Sequence, residues 1–239
     1  MRHVHILVTC EHAGNQIPKQ YKHLFKDQEV LSSHRGIDLG ALPFAQQLSD
    51  LLRVKLFETR ISRLLVDCNR SISNPHVFSE FVDELKSPEK NLILQKYYFR
   101  YRNAIESYIH QHSIRKPVLH ISMHTFTPTW EGKERKIDVA LLFDEQRVAE
   151  NELCFKWQEK LKEELTDFDV LVNVPYKGSD DGFTTYLRGK FTSPQYMGVE
   201  IEINQKWAEM NQGSQMVEAI YKSLEATLEN IEFHQTTMS

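Results

Sequence analysis

Short apolar runs alternate along this chain with longer stretches that carry apolar residues at helical spacing, and this alternation constrains the fold most. Runs rich in Val, Ile, Leu and Phe at residues 4–9, 54–59, 63–67, 118–123, 138–143, 168–174 and 198–203 have the length and content of buried strands. Between them, residues 39–52, 88–112, 145–165 and 214–231 carry helical patterns. Strands and helices in alternation predict a mostly parallel α/β sheet covered on both faces. Neither a Pro/Gly/Ser-rich linker nor a fixed-period repeat interrupts the pattern, so a single domain over residues 1–239 is expected, with "HQTTMS" as a frayed tail. The polar segment at residues 127–136, "TPTWEGKERK", is expected to form a mobile loop beside the site.

Polar residues gather where the apolar runs end. "VTCEHAGNQIP" places Glu11, His12 and Asn15 after the first run, and ligands of open α/β sheets collect at the carboxyl ends of strands. "LLVDCNR" ends on Arg70 and "LHISMH" on His124. In the latter, a period of two puts His120, Ser122 and His124 on one face, and "GVEIEIN" does the same for Glu200 and Glu202. Two acids on one face require a cation or water. In "HRGIDLGA", Asp38 is either a helix N-cap or a member of the site.

His and carboxylate side chains converging on one sheet edge suit a catalytic zinc with three protein ligands and an open position. Such an ion acidifies water and polarises a carbonyl while a nearby carboxylate takes the proton. Arg70 or Arg63, with a planar fork for a carboxylate, then suits an anionic substrate. Of the eleven histidines, His3, His5, His23, His76, His110, His112 and His234 belong to no constellation and are expected to face solvent. His120 is expected in the core or behind a ligand.

Composition excludes several classes. A net charge of −4, with Lys and Arg dispersed, gives no footprint for nucleic acid or an anionic membrane. Cys10, Cys68 and Cys154 are odd in number and widely spaced, which argues against a disulfide framework and fits a reducing cytoplasm. The first apolar run is too short for a signal peptide, and no stretch reaches a membrane span.

The ordered set "CEHAGN", "HRGIDLGA", "SRLLVDCNRS", "HISMHTF", "DVALLFD", "NVPYKGSDDGFTTYL" and "GVEIEIN" resembles the N-formylglutamate amidohydrolase family, relatives of zinc carboxypeptidases and of the aspartoacylase group. The resemblance implies a three-layer α/β/α sandwich with a mixed, mostly parallel, phosphorylase/hydrolase-like sheet. It also implies hydrolysis of an N-acyl amino acid, N-formyl-L-glutamate foremost, dependent on Zn2+ or another divalent transition metal. Histidine degradation is implied only by the family's name-giving activity. By the same resemblance His12 and His124 are metal ligands; the position three after His12 is Asn15, which leaves Asp38 or Glu11 as the third, and Asp38 is preferred because family members resemble this chain around it whereas many have Pro where Glu11 stands. Asn69 and Arg70 resemble the pair that grips a substrate carboxylate, Glu202 matches the acid that activates water, and Arg63 is expected to stabilise the oxyanion. Tyr176, Lys177, Asp181 and Thr184 lie in a segment similar to the family's substrate-covering loop, which also reads as a Gly-Asp turn. The departures "EHAG" and Glu200, where other members have "PHSG" and often Gln, bear on the substrate. Rival readings are a desuccinylase-, deacetylase- or peptidase-like enzyme, a non-catalytic binder that keeps the scaffold, and an interaction domain whose polar strand ends are structural.

Overall fold

In the computed structural model, residues 3–231 are described, apart from 194 and 209; the tail "HQTTMS" and His234 lie outside them. In chain order the elements are β1 His5–Cys10, α1 Glu29–Ser32, α2 Ala41–Leu52, β2 Lys55–Glu58, α3 Ser87–Ile93, a π-helical turn Leu94–Phe99, and α4 Arg100–Ser113. There follow β3 Val118–Phe126, β4 Thr129–Trp130, β5 Lys133–Glu134, β6 Val139–Leu142, α5 Val148–Glu164, β7 Val170–Val172, α6 Phe183–Arg188, β8 Tyr196–Asn204 and α7 Asn211–Glu229. Six strands form a mixed sheet in the order β2-β1-β3-β8-β6-β7. All neighbours run parallel except β6 and β8. The reason is local: β3 reaches β6 without a crossover helix, and a parallel return would need one.

The side-chain period of two divides the sheet into two unlike faces. On one, Ile6, Val8 and Cys10 of β1, Leu119, Ile121 and Met123 of β3, and Met197, Val199, Ile201 and Ile203 of β8 pack on α2, α5 and α7. On the other, Leu7, Val118 and Tyr196 meet α4 and α6 through Ile105, Ile109, Phe183 and Leu187. The long helix expected at residues 88–112 is continuous but carries the π-turn, which shifts its register by about one residue.

One expectation fails. Residues 63–67 form no strand: Leu65 and Val66 donate backbone N–H groups back to the Ser62 carbonyl, so Leu64, Leu65 and Val66 are buried within a turn. Their apolarity reports burial, which a periodicity argument cannot separate from strand pairing. Residues 127–136 carry β4 and β5, which pair as an antiparallel hairpin. Its two turn residues Glu131 and Gly132 both have positive φ, 48° and 76°, as a tight hairpin turn demands. Among the described residues no helix is long and apolar enough to cross a membrane.

Candidate metal centre

Strand β1 delivers Glu11 and His12 immediately past its last residue, and β3 delivers Ser122 and His124 on the polar face. Register sets His124 opposite Glu202 and Ser122 opposite Glu200. Asp38 arrives from the loop before α2, tied down by its own N–H donating to the His12 carbonyl. It is not the N-cap of that helix. Gly40 occupies the cap with φ 84° and no side-chain bond, at a spot where a Cβ would lie 2.6 Å from Ala208.

These elements bring His12, Asp38 and His124 together, all buried, with one donor atom from each within 4.8 Å of the others. His12 Nδ1 lies 3.1 Å and His124 Nδ1 2.8 Å from the same oxygen, Oδ2 of Asp38. The far nitrogen of each ring has an acid behind it. His12 Nε2 is 2.8 Å from Asp67 Oδ1, and His124 Nε2 is 3.3 Å from Glu11 Oε2, within ion-pair reach but without hydrogen-bond alignment. Ser122 Oγ donates to that same Glu11 oxygen at 2.6 Å, and Tyr101 Oη donates to the other, Oε1, at 3.0 Å. Of the two candidates for a third ligand, Asp38 therefore faces both inner nitrogens while Glu11 backs one ring. Two imidazoles and a carboxylate, each ring backed by an acid, fit a zinc-type site.

Burial alone would raise the Asp38 carboxyl, yet His12, His124 and Arg63 hold it well below the usual range. Asp67 and Glu11 are likewise held low against burial by their His and Arg or hydroxyl partners. Burial opposes the charge on His124, but Asp38 and Glu11 outweigh it and push its pKa well up. Glu202 is the exception. Burial, with Asp38 and Glu200 adding like charge, lifts it to about 8, and its Oε2 is buried with no hydrogen-bond partner. An unsatisfied carboxyl oxygen facing such a cluster is what a water or substrate group would satisfy.

The remaining sequence-predicted residues are distributed around this cluster. Arg63 spans two acids, with Nη1 at 3.1 Å from Asp38 and Nη2 at 3.2 Å from Asp67. Arg70 Nε lies 3.6 Å from Asp67. Asn69 Oδ1 accepts the Phe183 N–H at 2.8 Å. Tyr176 lies on the rim, its hydroxyl accepting from Arg135 Nη1 at 3.3 Å. Thr184 is fully buried and reaches the site only through Glu200, to which its Oγ1 donates at 2.6 Å. Asp181 accepts from Ser71 N and Asn74 Nδ2, so it braces the Arg70 turn. His120 is in the core, bonded to Thr9 and Tyr196, with burial lowering its pKa to about 4. His5 and His112 are half-buried and stack with centroids 3.9 Å apart, whereas His76 is exposed, as expected, at the edge of the cleft.

Sequence reasoning gave Asp67 no role, although "VDCNR" sets that acid two residues before Asn69. The cleft that holds these groups has a volume of about 930 Å³, and its outer wall includes His34, Phe78, Trp130 and Tyr176.

Comparison with curated proteins gives no match. Among solved structures, a gene product of Agrobacterium tumefaciens is 27% identical, with a TM-score of 0.80 over 96% of this chain and 92% of that one. The CwlD amidase of Clostridioides difficile shows a more distant likeness, 13% identical with a TM-score of 0.49, covering 95% of this chain and 100% of that one. A family model described as N-formylglutamate amidohydrolase matches residues 4–208. That span holds every strand end that builds the cluster, and the chain belongs to the N-formylglutamate amidohydrolase family.

Proposed function

We propose that the protein is a zinc-dependent amidohydrolase that cleaves the amide bond of an N-acyl amino acid, with N-formyl-L-glutamate, giving formate and L-glutamate, as the substrate its family nominates. The observation that carries this reading is the convergence of two imidazole nitrogens on one Asp38 oxygen beside the unpartnered Glu202 carboxyl. His12, Asp38 and His124 would hold the ion, which when bound supplies a Lewis acid for the amide carbonyl and acidifies water to a pKa of about 7.

The chain's own groups do the rest. Asp67 and Glu11 fix the tautomer and tilt of the two rings. Glu202, as carboxylate, takes the proton of the attacking water and passes it to the amide nitrogen as the C–N bond breaks. One water is consumed and the acyl group leaves as a carboxylic acid. Asn69, through its amide NH2, and Arg70, through its fork, grip the α-carboxylate. Arg63 keeps Asp38 and Asp67 in place, and its remaining N–H groups stand ready for the developing oxyanion. Tyr176 closes the rim, while Thr184 orients Glu200 in the cleft wall. The three cysteines are buried free thiols, which suits a reducing compartment; we place the enzyme in the cytoplasm, with histidine degradation as the pathway that the family's activity suggests.

The test is release of L-glutamate from N-formyl-L-glutamate by zinc-loaded protein against a chelated blank. Metal-dependent release supports the assignment; no release from protein holding one zinc per chain excludes this substrate. The cleft volume of about 930 Å³ favours a second reading. It lies near the top of the range of roughly 300–1,000 Å³ for drug-sized ligands, more than a formyl amino acid fills. A larger acyl group or a short peptide is the alternative, read by a panel of acyl amino acids in the same assay.

A further inference from the structure

Arg102 has no place in the chemistry above, yet it is a buried cation, 3% exposed. Its guanidinium lies among three aromatic rings, 4.4 Å from the centroids of Phe183 and Tyr186 and 4.8 Å from that of Tyr98. Among the described residues no carboxylate pairs with it, and Nη2 is buried without a hydrogen-bond partner. Such a charge is costly to bury, and an apolar side chain of the same volume would fill the space at less cost.

The charge is spent on one stretch of backbone. Nη1 donates to the carbonyls of Cys68 at 3.1 Å and Arg70 at 2.9 Å, and lies 3.5 Å from that of Asn69. Tyr98, four residues earlier, donates its hydroxyl to the same Arg70 carbonyl at 2.9 Å. Phe183, which stacks on the guanidinium, also donates its N–H to the Asn69 side chain. The register shift of the π-turn at Leu94–Phe99 immediately precedes Arg102, and such turns recur at functional sites. A single cation thus ties both the backbone of Asn69–Arg70 and the residue that orients the Asn69 amide.

We propose that Arg102 is a positioning residue of the substrate-carboxylate subsite, setting the Asn69–Arg70 turn so that the amide and the fork meet one carboxylate. The inference rests on the gripping role proposed above for Asn69 and Arg70. Because Arg102 touches none of His12, Asp38 or His124, its loss weakens the hold on carboxylate and leaves the metal alone.

The test uses full-length zinc-loaded protein carrying Glu202→Gln, so that ligand is not consumed, and calorimetric titration with two probes. N-formyl-L-glutamate has the carboxylate; acetohydroxamate chelates zinc without one. Arg102→Lys, which keeps the charge but loses the planar fork, is expected to weaken the first probe roughly tenfold, the scale of one lost bond to a charged group. Tyr98→Phe removes a single hydroxyl, keeps the ring, and is expected to weaken it about threefold, which preserves the test if Arg102→Lys does not fold. Neither changes acetohydroxamate affinity or zinc content. Equal weakening of both probes, unchanged affinity for N-formyl-L-glutamate, or no binding of it by the parent overturns the proposal. Binding by the wild-type chain without hydrolysis would instead sink the proposed function and leave the positioning role standing.

Discussion

The two faces of the sheet are made by the same strands under opposite rules. On the face covered by α2, α5 and α7, the inward residues of β3 and β8 are apolar and buried, except Thr125 at the end of β3, whose hydroxyl donates to the Leu39 carbonyl. On the opposite face the same strands present His120, Ser122 and His124, and Glu200 and Glu202. The first face supplies hydrophobic stabilisation, about 1.5–3 kcal/mol for each large side chain removed from water. The second gives up that gain to bury charge. It succeeds only because almost every buried group finds a partner: His120 between Thr9 and Tyr196, Glu11 between Ser122 and Tyr101, Asp67 between His12 and Arg63. Among the described residues one exception, Glu202 Oε2, faces the His12–Asp38–His124 cluster, where a water or a substrate would act. Stability and chemistry are thereby separated by the width of one β-sheet.

The sharpest way to break this division is at Glu202. Glu202→Gln keeps the shape and removes the proton acceptor, so turnover should fall ~1,000-fold while zinc content stays at the wild-type level. Parallel loss of zinc would make Glu202 a ligand and not a base. The apolar face should respond in the opposite sense. Trp157, fully buried with its indole N–H donating to Ser223 at 3.0 Å, should cost about 3–5 kcal/mol of stability when replaced by Ala. Denaturant unfolding would read that loss, and zinc stoichiometry of the folded fraction should be unchanged. A stable Trp157→Ala protein without zinc would erase the distinction.

A third effect concerns pH in the metal-free protein. Glu202 titrates at about 8 when folded, against 4.5 ordinarily, so between those values the folded state holds a proton that the unfolded state has lost. Stability therefore falls as pH rises from about 4.5 to about 8, and is level beyond. Glu202→Gln removes this penalty. The variant should gain on wild type across that window by at most about 5 kcal/mol, the upper bound set by the shift, with no gain at pH 4. Melting curves of both chelated proteins at pH 4, 6 and 9 would show it; a constant difference would mean the carboxyl is not the cause.

The period of two made the apolar face and both polar stripes legible from the sequence, because alternation is a local property of a strand. His12, Asp38 and His124 were legible as strand-end or helix-start residues. What escaped was non-local. The turn at residues 63–67 has the apolar content of a strand, but it exists to bring Arg63 and Asp67, four residues apart, to 3.2 Å; in a strand they would lie roughly 13 Å apart. Asp67 draws its meaning from a histidine 55 positions earlier, and Glu11 from Tyr101 and Ser122, 90 and 111 positions later. Nothing in the spacing around either acid reports those partners. The choice between Asp38 and Glu11 likewise depends on which way a carboxylate turns.

That choice also gives the most direct test of the central claim, that the polar face is built around an ion held by His12, Asp38 and His124. Equilibrium zinc titration of the wild type, Asp38→Asn and Glu11→Gln would decide it. One zinc per chain is expected for the wild type, with affinity reduced by several orders of magnitude in Asp38→Asn and only about 10–100-fold in Glu11→Gln, as befits an acid behind a ligand. If Asp38→Asn holds zinc as tightly as the wild type while Glu11→Gln releases it, the centre assigned here is wrong.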